Sequence, residues 1–159
     1  MKFSKKKIVV ILVAAAVLLA VILLLVSGKG GQSAEGGLKV EKNTVEWNQE
    51  MESADETADI QIPYYGSIYM EAGSDVIDMV LVNPKENTCY FSYVFLLKDT
   101  GEELFHSNLI EPGRALEKVQ LKRAVERGNY DLNIRIDTYT LEGQKPLNNA
   151  IVSTQLITS

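Results

Sequence analysis

The sequence predicts an all-β domain, an antiparallel β-sandwich of about seven strands, preceded by one N-terminal transmembrane α-helix. Three observations carry this. Residues 8–26 are 19 consecutive side chains drawn only from Ile, Leu, Val and Ala. Within residues 130–140, Tyr130, Leu132, Ile134, Ile136 and Thr138 alternate with Asp131, Asn133, Arg135 and Asp137, which in an extended chain gives one apolar and one charged face. Between residues 59 and 159, short apolar runs recur between turn signals, the spacing of an all-β domain.

The apolar run comes first. At about 1.5 Å per residue it spans roughly 28 Å as a helix, close to the hydrocarbon thickness of a bilayer. Lipid supplies no hydrogen-bond partners, so a helix is required there despite the β-branched residues. No charged or histidine side chain interrupts the run, which marks an anchor rather than an ion pathway. Lys2, Lys5, Lys6 and Lys7 precede it and only Lys29 follows closely. The positive-inside rule therefore places residues 1–7 in the cytoplasm as a basic tail and the chain beyond the helix outside the cell membrane. This makes the lipid bilayer the first expected partner. The competing reading is a cleaved signal peptide: Val26-Ser27-Gly28 supplies small residues, although the apolar core of a signal peptide usually runs only 7 to 15 residues.

Charge and composition exclude further classes. The chain of 159 residues carries 16 Lys+Arg against 21 Asp+Glu, and setting aside the four leading lysines leaves 12 against 21, net −9. Such a surface repels a phosphate backbone, so nucleic acid is not an expected partner. A single cysteine rules out a disulfide scaffold. Residues 27–37 read SGKGGQSAEGG, too poor in apolar side chains to fold. Residues 38–47 alternate loosely enough for one short strand, but Glu46, Glu50, Glu52, Asp55, Glu56 and Asp59 follow without a basic residue. Residues 27–58 are accordingly expected to form a flexible acidic stalk, and residues 59–159 the β-sandwich. The acidic run lacks the alternating spacing of a calcium loop.

In residues 76–82, Asp78 sets the phase, with Ile77, Met79 and Leu81 inward, and Asn83-Pro84 ends the strand. Residues 89–97 put Cys89, Phe91, Tyr93, Phe95 and Leu97 on one face and are apolar enough on the other to predict a central position. Asp99-Thr100-Gly101 turns the chain into a strand at 103–107. Glu111-Pro112-Gly113 precedes another at 116–121, and residues 149–157 close the domain. Residues 122–128 are too few for more than one turn at a corner.

Leu121, Gly128 and Tyr130, entering the alternating strand, resemble the tyrosine corner of immunoglobulin-like and fibronectin type III domains. The resemblance implies an immunoglobulin-like sandwich in which the Tyr130 hydroxyl bonds back onto the corner's backbone. A second resemblance rests on Ile60-Gln61-Ile62-Pro63-Tyr64, on Asn83-Pro84-x-x-Asn87-x-Cys89-Tyr90-Phe91, on Ile110-x-Pro112-Gly113 and on Leu147-Asn148-x-Ala150. Together these are similar to small, single-helix, membrane-anchored exported proteins of Gram-positive gut bacteria, a set without an assigned activity. It implies a location and a fold and transfers no catalytic residue.

Catalytic readings find little to build on. His106 is the one histidine and Cys89 the one cysteine. The strand phase buries Cys89 among aromatic rings, where an apolar setting raises a thiol's pKa and makes it inert. One His and one Cys do not complete a zinc site, and Gly28, Gly30 and Gly31 follow an apolar helix rather than a strand, so no phosphate loop is implied. No catalytic residue, metal or cofactor is expected. Recognition remains: Tyr64 and Tyr65, between Pro63 and Gly66, form an aromatic turn suited to stacking on a sugar ring or a partner chain, with Tyr139 as a third candidate. The expected function is non-catalytic binding at the cell envelope, to a protein or a glycan. A structural spacer is the second reading and a small envelope hydrolase the third.

Overall fold

The computed structural model describes residues 37–53 and 59–159. The expected basic tail, the transmembrane helix at 8–26 and most of the glycine-rich stretch lie outside the described residues. Among the described residues the fold is all-β, and no helix is long and apolar enough to cross a membrane.

The alternation of residues 130–140 produces the strand it predicts. Strand β9, Gly128–Thr140, buries Leu132, Ile134 and Ile136 completely and turns Asp131, Asn133, Arg135 and Asp137 away from the core. It pairs antiparallel with β10, Pro146–Thr158, through a hairpin in which Gly143 and Gln144 take positive φ. On its other side β9 pairs over nine residues with β5, Cys89–Leu97, from Cys89 opposite Thr140 to Leu97 opposite Leu132. β5 in turn pairs with β6, Glu103–His106, across the expected turn, where Gly101 has φ 71°. The fifth member is β2, Ile68–Met70, which lies parallel to β10. The sheet order is therefore β2-β10-β9-β5-β6, mixed rather than purely antiparallel as expected.

The second layer corrects the strand count. The expected strand at 76–82 is two short pieces, β3 at Val76–Ile77 and β4 at Leu81–Asn83, and the expected strand at 116–121 is likewise β7, Arg114–Leu116, and β8, Val119–Gln120. β3 pairs with β8 and β4 with β7, and the register slips by one residue between the two pairings. Such a slip kinks both partners and breaks the ladder, and with the short β1 and β2 this gives ten strands among the described residues where about seven were expected. The phase survives: Ile77 and Leu81 are fully buried and Asp78 is exposed.

Part of the segment expected as stalk belongs to the compact unit, including the short strand that residues 38–47 allowed. The compact unit runs from Leu38 to Ser159 rather than from Asp59. β1, Val45–Glu46, adds to the free edge of β7, and Glu41 N–H donates to Leu109 O at 2.7 Å while Leu109 N–H donates to Lys39 O at 2.8 Å. Arg114 fixes the segment by donating from Nε to Thr44 Oγ1 (3.0 Å) and from Nη2 to Thr44 O (2.5 Å). Charge runs describe side chains, and here Glu46 and Glu52 are exposed while the backbone beneath them is paired, Glu46 with Arg114 and Glu52 O with Tyr64 N–H.

Both layers contribute to one core, with Phe91, Tyr93 and Phe95 from β5 packed among Ile77, Leu81, Val119, Ile134, Ile136 and Leu156. At its edge sits a polar knot. Asn83, fully buried, donates from Nδ2 to Cys89 O (2.8 Å) and Ile110 O (2.9 Å). Its Oδ1 accepts from Asn87 Nδ2 (3.0 Å), and its backbone carbonyl accepts from Gly113 N–H (2.8 Å). Asn87 reaches on to Gln61, donating to its carbonyl at 3.0 Å and accepting from its N–H at 2.8 Å. Three of the four separated strings noted in the sequence thus meet around two linked amides, Asn83 and Asn87.

Removing the Asn83 amide strands the Cys89 carbonyl and leaves Ile110 O with Phe91 N–H alone, at 3.1 Å. An unmade bond at a buried group costs about 1–3 kcal/mol, and the lost side chain adds a cavity. Asn83→Ala is therefore expected to lower unfolding free energy by about 3 kcal/mol in urea titrations, whereas exposed Asn149→Ala changes it by less than about 0.5 kcal/mol. A loss below about 1 kcal/mol for Asn83→Ala contradicts the role given to the knot.

Candidate functional site

The expected aromatic turn divides into an anchor and a display. Pro63 is buried, Tyr64 is 49% exposed, Tyr65 is buried and Gly66 is exposed, because successive side chains of an extended chain point to opposite faces. Tyr65 is therefore not a surface ligand, which corrects its place in the expected site. Its hydroxyl donates to Tyr93 Oη at 3.1 Å, Tyr93 donates to Val82 O at 2.5 Å, and Val82 N–H donates back to Tyr65 Oη at 3.2 Å. This closed ring satisfies both backbone groups of Val82 on the side of β4 away from β7. The two rings meet edge to face at 6.2 Å.

With Tyr65 fixed inside, the backbone around Tyr64 is held from two directions. Tyr64 N–H donates to Glu52 O at 2.9 Å, and Thr154 Oγ1 donates to Gly66 O at 2.6 Å. Tyr64 thereby borders a shallow cleft of about 250 Å³, together with Ser67, Lys98, Asp131, Ser153 and Gln155. Asp131 and Gln155 stand opposite each other on β9 and β10, and Lys98 is placed by its backbone N–H donating to Asp131 O at 2.9 Å. Among the described residues, the side chains of Tyr64, Ser67, Lys98, Asp131 and Gln155 make no hydrogen bond or ion pair with another residue. An aromatic face, an ammonium, a carboxylate, an amide and a hydroxyl thus converge with their bonding capacity free.

Tyr139 does not join them. It lies eight residues beyond Asp131 on β9, about 27 Å at the rise of a strand, half-buried opposite Tyr90 and Pro146. Tyr130 has a structural place: its hydroxyl donates to Glu126 O at 3.1 Å. A Cβ at Gly128 would come within 3.2 Å of the Tyr130 ring, so a larger residue there requires the ring to shift by a few tenths of an ångström.

Cys89 and His106 are separated by the sheet itself. His106 pairs with Val94, five residues along β5 from Cys89, roughly 17 Å away and on the opposite face of the strand. Cys89 is buried, and that burial raises its thiol pKa. His106 is exposed with Nδ1 3.6 Å from Glu103. The Lys122 ammonium bonded to Glu103 holds that carboxyl below its ordinary range. Among the described residues, no group of three or more His, Cys, Asp or Glu side chains is arranged to hold a metal ion.

A second groove, about 390 Å³, runs between residues 47–53 and the turn carrying Pro84, Lys85 and Glu86. Trp47 borders it, and the buried Trp47 Nε1 has no acceptor among the described residues.

Trp47, Lys98, Asp131 and Gln155 are not among the site residues expected from the sequence. The polar phase of β9 marks Asp131 as outward, but which residues stand beside it is set by registers no single strand encodes. Trp47 is the one tryptophan, at the end of the stretch allowed one short strand and beside the acidic run assigned to the stalk. No protein-family model, curated protein or solved structure matches this chain.

The buried hydroxyl ring has a pH signature. Burial raises Tyr65 from the usual 10.0 to about 12, and burial together with Tyr65 pushes Tyr93 well above the ordinary value. An acid whose folded pKa is raised gives stability that is complete below the unfolded pKa and is lost as pH climbs toward the folded one. The urea midpoint is expected to hold up to about pH 9.5 and to fall between about pH 10 and 12, less steeply in Tyr65→Phe. Identical slopes in the two proteins contradict a buried, protonated Tyr65.

Proposed function

We propose that this chain is a membrane-anchored, extracytoplasmic binding module of the cell envelope. In this reading residues 8–26 cross the bilayer with the N-terminus inside, the glycine-rich stretch tethers, and the unit Leu38–Ser159 is an immunoglobulin-like sandwich outside. The apolar run and its four preceding lysines support the anchor and orientation. Two layers sharing one core, and the Tyr130 hydroxyl bonded back to Glu126 O, support the immunoglobulin-like comparison. The likeness to membrane-anchored exported proteins of Gram-positive bacteria fits the same arrangement.

The observation that carries the binding reading is the cleft at Tyr64. An exposed aromatic sits there on a backbone pinned by a buried tyrosine, beside polar groups that the fold leaves free. Binding sites are built this way, from side chains free to bond and a scaffold too rigid to collapse onto them. A spacer has no use for such a cleft. A hydrolase working through paired carboxylates needs two that face each other, and among the described residues Asp131 is the one carboxylate bordering this cleft.

The reading is tested in intact cells carrying the full chain with a photo-crosslinking amino acid at Gln155. Irradiation is expected to give a crosslinked product that Tyr64→Ala reduces at least fivefold while the protein level is unchanged. Protease added outside the same cells is expected to degrade the portion beyond residue 38. An unreduced product, or complete protection from protease under conditions that digest known exterior proteins, contradicts the proposal.

A further inference from the structure

We infer that the Tyr64 cleft and the neighbouring Tyr69 form a strip that binds a neutral pyranose glycan along the outer face of the five-stranded sheet. The inference rests on the binding reading above and names its ligand class.

The register sets out the strip. In β2, Tyr69 stands beside Ile157 of β10, while the flanking Ile68 and Met70 are buried beside Leu156 and Thr158. Tyr69 therefore faces outward, and at 69% it is the most exposed large apolar side chain among the described residues. Gln155 lies two positions back along β10 on the same face, about 7 Å away at strand rise. Opposite Gln155 is Asp131, and beyond them Lys98 and Tyr64 close the cleft. Two exposed tyrosine rings thus bracket a row of unengaged polar side chains.

The chemistry of that row favours a sugar over a charged ligand. Lys98 only donates, Asp131 when ionised only accepts, and Gln155 and Ser67 do both. A ligand of one charge sign would meet both an attractive and a repulsive group in one cleft. A sugar hydroxyl donates and accepts at once, so each group on the row finds a partner on a pyranose. The tyrosines supply flat apolar faces for the C–H surface of a ring and a polar tip at its edge. At about 250 Å³ the cleft is below the size that encloses a drug-sized ligand. It suits one ring, with the rest of a chain lying on the open face toward Tyr69. The net charge of −9 beyond the leading lysines disfavours polyanions. Affinity at one such site is weak, and many copies tethered on one surface raise it by avidity.

The test uses the full chain in lipid nanodiscs, titrated calorimetrically with hexamers of glucose, of N-acetylglucosamine and of galacturonic acid. Saturable binding of at least one of the neutral hexamers is expected, weakened about five- to tenfold by either Tyr64→Ala or Tyr69→Ala, a loss typical of one aromatic contact. Galacturonate is expected to bind more weakly than that hexamer. Asp131→Asn, which keeps shape but removes an acceptor-only group, is expected to weaken the neutral hexamer as well. No saturable binding of the neutral hexamers up to 10 mM, binding indifferent to both tyrosines, or galacturonate binding tightest overturns the inference. If the hexamers fail while the Gln155 crosslink in cells still depends on Tyr64, the sugar assignment alone falls. If that crosslink is lost as well, the binding reading falls with it.

Discussion

The side-chain amide of Asn83 is the constraint on which the rest of the structure depends. It sits at the end of β4 with no access to solvent and binds carbonyls of Cys89 and Ile110, while its own carbonyl groups hold Asn87 and Gly113. Two stretches distant in sequence, residues 83–89 and 110–113, therefore share one set of partners, and Asn87 ties in a third at Gln61. Each bond contributes about 1 kcal/mol net, but leaving any of them unmade inside the protein costs more than making it gains. A fully satisfied buried network of this kind selects one arrangement of the layers over the many that hydrophobic burial alone would accept. Gly113 can take part because its φ of 73° and its close approach to Lys85 suit a residue without a side chain.

One residue before Asn83, the same edge of β4 is closed by tyrosine. The Tyr65 and Tyr93 hydroxyls bond Val82 where a neighbouring strand would otherwise be needed. This joins stability to function. The side chain that seals the edge is adjacent to the one offered to solvent, so the pleat that drives Tyr65 inward drives Tyr64 outward. The surface site is in this sense a consequence of core packing, and its aromatic face is held without a helix or a disulfide.

The sequence made the local elements readable and left their assembly hidden. β9 and β5 follow from alternation and apolar content, and the turn at Asp99-Thr100-Gly101 from its glycine, because each depends on residues close in the chain. The break between Ile77 and Leu81 was not readable, since it arises from a register slip against β7 and β8. The loose alternation of residues 38–47 allowed the short strand that β1 forms, but its partner β7 lies about seventy residues away and is not encoded in the segment itself. Of the aromatic residues proposed for the site, Tyr64 borders the cleft. Tyr65 follows the rule of alternation into the core, a rule equally available from the sequence. Tyr139 sits on the right face of β9 and at the wrong end. Lys98, Asp131 and Gln155 are brought together by pairings across three elements, which one sequence does not specify.

The most direct test of this account is native-state hydrogen exchange at the Val82 amide, which donates to a tyrosine hydroxyl rather than to a strand. If the buried ring holds the layers together, this amide exchanges as slowly as that of Ile134 at the centre of β9, and Tyr65→Phe accelerates it far more than it accelerates Ile134. A Val82 amide that exchanges in the wild-type protein at the rate of a surface loop would contradict it.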